Sequence, residues 1–200
     1  MGNPVRPGIN AGNRMSAAQE FQLNEKKKTL FIFGGSQGSA TLNRYATHLV
    51  ETLPSQDIQI LWQTGIPHYY QYKHLETPLV KILPYVENMP AAYALSDLVL
   101  SRAGALTLSE ITVCGLPSVL IPLPFAAGDH QTKNAQSLVT AGAAMMIPEK
   151  DLSPALITST IVGLLHDQER LQEMARVALQ LGKPRATETI VDLILELVES

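Results

Sequence analysis

Residues 101–135 read SRAGALTLSEITVCGLPSVLIPLPFAAGDHQTKNA and follow directly on the apolar run Leu98-Val99-Leu100. A strand over 97–101 therefore meets Arg102-Ala103-Gly104, where the glycine lets the chain turn sharply into a helix over 105–114. Leu106, Leu108, Ile111 and Val113 give that helix apolar surface, Gly115 ends it, and a second strand-length run follows at 117–121. Strand, helix and strand in close succession form the unit of a parallel sheet. A helix starting just past a strand aims its unpaired amides and the positive end of its dipole at the sheet edge, which favours an anionic or hydroxyl-rich ligand. Thr107 and Glu110 can face one crevice there, and a carboxylate in that place accepts hydrogen bonds from sugar hydroxyls. The same pair would also serve simply to cap and solvate the helix.

The grammar repeats on both sides. TLFIF at 29–33 is a continuous apolar run, as a strand covered on both faces requires; Gly34–Ser39 breaks it, and a helix follows from Leu42 to Leu53. Strands are expected at 58–62, 79–83 and 143–147, a polar aromatic segment at 68–74, and helices at 89–95 and 130–141. Three helices, 153–165, 167–181 and 187–199, close the chain. The alternation predicts an α/β class, a doubly wound (Rossmann-like) parallel sheet over 29–200. Residues 1–28, with two prolines, three glycines and the cluster Glu25-Lys26-Lys27-Lys28 but little apolar periodicity, read as a linker or N-terminal extension.

Composition narrows the function classes. A length of 200 residues suits one well-buried core, and 15 basic against 18 acidic residues leave no basic field for nucleic acid. Cys114 is the sole cysteine, so neither an intrachain disulfide nor a cysteine zinc site can form, which suits a reducing compartment. Inside an apolar helix it reads as a small hydrophobe. No apolar run approaches the ~18 residues of a membrane span, and no signal peptide is evident.

Ligands of doubly wound sheets bind at the carboxyl ends of strands. Four segments lie there. Gly34-Gly35-Ser36-Gln37-Gly38-Ser39 could bring backbone amides to a phosphate or could be a turn needed only for tight packing; it is neither a P-loop nor a G-x-G-x-x-G pattern. Tyr85–Met89 could pair backbone groups with a base edge. The Gly104–Glu110 turn is the third. The fourth is Pro122–Asn134, where Asp129 to Asn134 crowd hydrogen-bonding groups on a loop and helix start, though Asp129 would also serve as an N-cap.

GNPVR at 2–6, GGSQGS at 34–39, the Val86–Met89 stretch, SRAGALTLSE at 101–110 and PLPFAAGDHQTKNA at 122–135 together resemble the C-terminal domain of glycosyltransferase family 28. These bacterial enzymes add N-acetylglucosamine to undecaprenyl-linked muramyl-pentapeptide in peptidoglycan synthesis. The resemblance implies half of a GT-B fold that binds UDP-N-acetylglucosamine or UDP. Ser36, with the amides of Gly35 and Gly38, would hold the diphosphate; Val86 would offer its backbone to uracil; Glu110 would hold the ribose hydroxyls. Ala105, Leu106 and Thr107 would line the nucleotide and phosphate region, Gln131 would bind sugar hydroxyls, and Arg6 would sit near the nucleotide. No cofactor or metal is implied. Ser39 stands where the family commonly has alanine, a change expected to be harmless. By the resemblance, the catalytic base, the lipid-linked acceptor site and the membrane surface belong to an N-terminal domain outside this sequence, so the chain alone is expected to be inactive, cytoplasmic, and placed at the cytoplasmic face of the cell membrane only in a full-length enzyme. Another UDP-sugar transferase or epimerase, or a non-catalytic nucleotide-binding module, would share the same cleft. By the resemblance, the stripe Ile190, Ile194 and Leu197, widened by Leu193 and Val198, is at least partly an interdomain surface, so the isolated chain is expected to be marginally soluble, to self-associate through residues 187–199 or to leave that helix mobile; packing of the whole helix on its own domain is the alternative.

Overall fold

In the computed structural model, which describes residues 2–199, the strands are β1 (Lys28–Phe33), β2 (Ile58–Gln63), β3 (Val80–Leu83), β4 (Leu98–Ser101), β5 (Ser118–Leu120) and β6 (Ala144–Met146). They form one parallel sheet in the order β3-β2-β1-β4-β5-β6. The helices are α1 (Arg14–Phe21), α2 (Ala40–Thr52), α3 (Tyr69–Tyr72), α4 (Met89–Leu95), α5 (Ala105–Val113), α6 (His130–Ala141), α7 (Pro154–His166), α8 (Gln168–Leu181) and α9 (Ala186–Glu199). Strand alternation sorts the core into two halves. Phe31, Phe33, Leu61 and Val99 face α1, α4, α5 and α6 through Phe21, Tyr93, Ile111 and Leu138. Leu30, Ile32, Ile60 and Trp62 face α2 and α7 through Leu42, Leu49, Ile157 and Ile161. Burial on both faces explains why the central strands read as nearly continuous apolar runs, with the buried Thr29 and Gln59 hydrogen-bonded to each other.

The first 28 residues are more than a linker in structure. Asn13 caps α1 by accepting from the Ser16 amide, and Ala17, Ala18 and Phe21 are buried. Val5 and Ile9 are buried in the same core half. Arg14 fastens the segment under the sheet: its guanidinium donates to the carbonyls of Glu25, Leu95 and Lys27 and meets Asp97 at 2.8 Å. Periodicity missed the helix because it is only eight residues long, and two of its three buried side chains are alanines.

In the last helix, Ile194, Leu197 and Val198 of the expected stripe are exposed and Ile190 and Leu193 are half-buried, while Val191 and Leu195 beside the stripe are exposed as well.

Candidate functional site

The strand order reverses at β1, which has β2 on one side and β4 on the other. Loops leaving the carboxyl ends of β1 and β4 diverge there, and a crevice opens between them. It is a cleft of about 280 Å³ walled by Gly35 and Ser36 after β1, Gln63 at the end of β2, Tyr85 and Met89 after β3, and Leu106, Thr107 and Glu110 on α5. Phe33 floors it, and Pro4 and Arg6 of the N-terminal segment close one side. Six of the residues singled out from the sequence thus meet in one place: Arg6, Gly35, Ser36, Leu106, Thr107 and Glu110.

Glu110 is 8% exposed and gripped from two directions. The Arg6 Nε lies 3.2 Å from its Oε1, and the Tyr93 hydroxyl donates to its Oε2 at 3.0 Å. Each carboxylate oxygen offers about two acceptor sites, so each keeps one to offer after these contacts. Opposite stands the glycine loop. Gly35 has φ +89° and a side chain there would meet no neighbour, so glycine answers to the backbone angle and leaves the strand end open for a ligand. Ser36 is exposed beside it. Ser39 caps α2, accepting from the Leu42 amide, so the positive end of that helix sits behind the loop. The same hydroxyl accepts from Nε and Nη2 of Arg102, a buried cation also paired with Glu149 at 2.6 Å and bound to the carbonyls of Ile121 and Pro122. Ser39 is therefore a joint between loops; an alanine would leave both donors without it.

Four expected residues have other neighbours. Gly38 packs its backbone on Thr64 instead of opening toward the cleft. Val86 is buried and its amide already donates to Gln63 Oε1 at 2.8 Å, so a base reading that amide must displace Gln63. Ala105 lies on the opposite flank of α5, in a hollow with Asn3, Ser109 and Asn134. Gln131 accepts the amides of Ala103 and Leu123 on one oxygen, bracing the turn after β4 against the loop after β5.

Sequence reasoning missed Gln63 and Tyr93. Gln63 donates to the Gly35 carbonyl at 2.9 Å while receiving the Val86 amide, and so couples the glycine loop to the loop after β3. Its signal was a polar residue ending the apolar strand IQILWQ. Tyr93 lies within the helix expected at 89–95, and its ring is core, edge-on to Phe31 and Phe33.

Burial pushes the Tyr93 hydroxyl well above the usual phenol range, with the Glu110 charge and hydrogen bond adding to it. Burial, then Glu110, pushes the Cys114 thiol from an ordinary 9.0 up to about 12. Both groups are held neutral. Because their folded values are raised, each supports folding below its unfolded-state pKa and withdraws that support as pH climbs toward the folded one. Thermal unfolding followed from about pH 8 to pH 11 should show the midpoint falling once the unfolded thiol ionises near 9.0, and Cys114→Ala should flatten the first part of that decline. No cluster of three or more His, Cys, Asp or Glu side chains suited to a metal ion occurs among the described residues.

The sequence profile of the glycosyltransferase family 28 C-terminal domain matches residues 29–190. The chain belongs to glycosyltransferase family 28. Its family 28 relatives include the UDP-N-acetylglucosamine--N-acetylmuramyl-(pentapeptide) pyrophosphoryl-undecaprenol N-acetylglucosamine transferase of Lactiplantibacillus plantarum, 39% identical over 198 residues, covering 96% of this chain and 54% of that protein. The like-named transferase of Flavobacterium psychrophilum is 38% identical over 202 residues, covering 100% and 55%. The chain thus spans about half the length of the curated relatives it matches, and in the Flavobacterium psychrophilum match, which covers the whole chain, the segment before residue 29, Arg6 included, is matched with the rest. Among solved structures, MurG of Acinetobacter baumannii superposes with a TM-score of 0.79 at 32% identity, over 96% of this chain and 55% of that one. A UDP-GlcNAc 2-epimerase of Neisseria meningitidis, at 17% identity and a TM-score of 0.61, shares the fold over 92% of this chain and 48% of its own. In this family 28 domain the cleft, the glycine loop and Glu110 all lie at the sheet's reversal point.

Proposed function

We propose that this chain is the donor-binding half of an inverting N-acetylglucosaminyltransferase that takes the sugar from UDP-N-acetylglucosamine to a lipid-linked muramyl-pentapeptide in peptidoglycan synthesis. One observation carries the reading: a carboxylate fixed by two donors faces a glycine loop across a single cleft. Glu110 takes the ribose hydroxyls; the loop amides around Gly35 and Ser36, backed by the start of α2, take the diphosphate. As the sugar–phosphate bond breaks, negative charge grows on the departing UDP, and amides already aimed at it stabilise that charge without rearranging. The acceptor and the base belong to the part of the relatives' length that lies outside this match, and the working enzyme stands at the cytoplasmic face of the membrane. No helix among the described residues is long and apolar enough to cross it. The uncovered stripe of α9 is where the isolated chain would associate with another copy of itself.

Titration calorimetry tests the donor assignment. UDP and UDP-N-acetylglucosamine should bind at one saturable site, at least about tenfold tighter than ADP or GDP, the margin expected when a site's buried polar groups are left unpaired by the wrong ligand. Equal affinity for all four, or no saturable site, would overturn it.

A further inference from the structure

We propose that Tyr93 is the positioning residue for ribose recognition: its buried hydroxyl sets the plane of the Glu110 carboxylate so that both oxygens meet the two ribose hydroxyls at once. The inference rests on the donor-binding reading and adds to it the source of selectivity for a ribonucleotide over a deoxyribonucleotide. A vicinal diol presents two donors close together, and a carboxylate receives both only when its plane is turned toward them. Left alone, a glutamate spins about its terminal bond, which has no steep staggered wells. Here that rotation is stopped on the inner side by Tyr93, which donates to Oε2 at 3.0 Å, and on the outer side by Arg6, 3.2 Å from Oε1.

The two restraints differ in kind. The Arg6 side chain is 50% exposed, so its hold competes with water. Tyr93 is 2% exposed, stands on α4, and has its ring packed edge-on against the stacked pair Phe31 and Phe33, at 6.0 and 6.2 Å, so its hydroxyl is held in place. Without that hydroxyl, Oε2 would face the aromatic core with a donor lost, and the carboxylate would swing outward to water. Tyr93 touches no ligand in this scheme; it acts through Glu110.

Calorimetry with UDP and 2′-deoxy-UDP on the unaltered chain and on Tyr93→Phe separates the possibilities. The unaltered chain should prefer UDP by about tenfold or more, the worth of a hydrogen bond to a charged group. Tyr93→Phe should keep its thermal transition, bind 2′-deoxy-UDP nearly as before, and lose most of the preference. If the unaltered chain prefers UDP and Tyr93→Phe keeps the full preference, the positioning role is overturned while the Glu110 assignment stands. If the unaltered chain does not discriminate, the Glu110 assignment itself falls, and this inference with it. A second readout needs no variant: the Tyr93 hydroxyl proton, shielded from water and bonded to a carboxylate, should appear in proton NMR and move markedly on saturation with UDP but little with 2′-deoxy-UDP. Equal movement with both ligands would also overturn the proposal.

Discussion

Gly38→Ala should lower the melting temperature by roughly 6–12 °C, from about 3 kcal/mol of destabilisation in a domain of this size. Two effects combine. Gly38 sits at φ +76°, where an L side chain is strained by about 1–2 kcal/mol. An added methyl would also run into the Thr64 carbonyl. That carbonyl cannot retreat, because it accepts the side-chain amide of Asn43 at 2.8 Å, and Asn43 in turn receives the buried Trp62 indole N–H at 3.0 Å. The loop after β1 must yield instead, and UDP affinity should fall along with stability. Gly142→Ala is the control: φ is +91° there, but an added methyl meets nothing, so only the backbone strain remains. Scanning calorimetry on both variants decides, and an equal shift in the two would show that the Gly38–Thr64 contact carries no weight.

Glu110→Ala should weaken UDP binding about tenfold or more, since a hydrogen bond to a charged group contributes ~1.5–3 kcal/mol and each ~1.4 kcal/mol is a decade. The alanine also strands the Tyr93 hydroxyl in the core and frees Arg6, so stability drops too, by about 1–3 kcal/mol for a buried donor left unmet. Glu110→Gln keeps an acceptor for Tyr93 and should recover most of the stability while remaining weak toward UDP. Affinity unchanged in both variants would remove Glu110 from the ribose site.

The parallel alternation was readable because strands buried on both faces are mostly apolar: TLFIF shows it, IQILW shows it with Gln59 as its one polar residue, and both became interior strands of the sheet. Glu110 was readable because it is the one charged residue of its helix, and an acid in those early turns has few reasons to be there. Tyr93 was not, since three-residue and four-residue spacings show which side chains share a helix face but not what another helix brings against them. The bracing work of Gln131 was hidden for a related reason: its polarity and position suit a sugar contact, while the turn after β4 and the loop after β5 each present an amide needing an acceptor, and one side-chain oxygen serves both. The first 28 residues concealed their attachment in Arg14, whose hydrogen bonds go to backbone carbonyls that no residue pattern announces.

That attachment has a mechanical side. Between the anchorage at Arg14 and the buried Val5 and Ile9, the segment carries Arg6 to the rim of the cleft, while Thr187 at the start of α9 donates to the Val5 carbonyl at 3.4 Å and Gly2 lies against Lys183 and Ala186. The opening residues and the start of the last helix are thereby spliced at one corner of the domain. Arg6, which pairs with the Glu110 carboxylate at 3.2 Å, is the next residue along from that splice, so the corner where the two ends of the chain meet and the wall of the cleft are one continuous piece of structure.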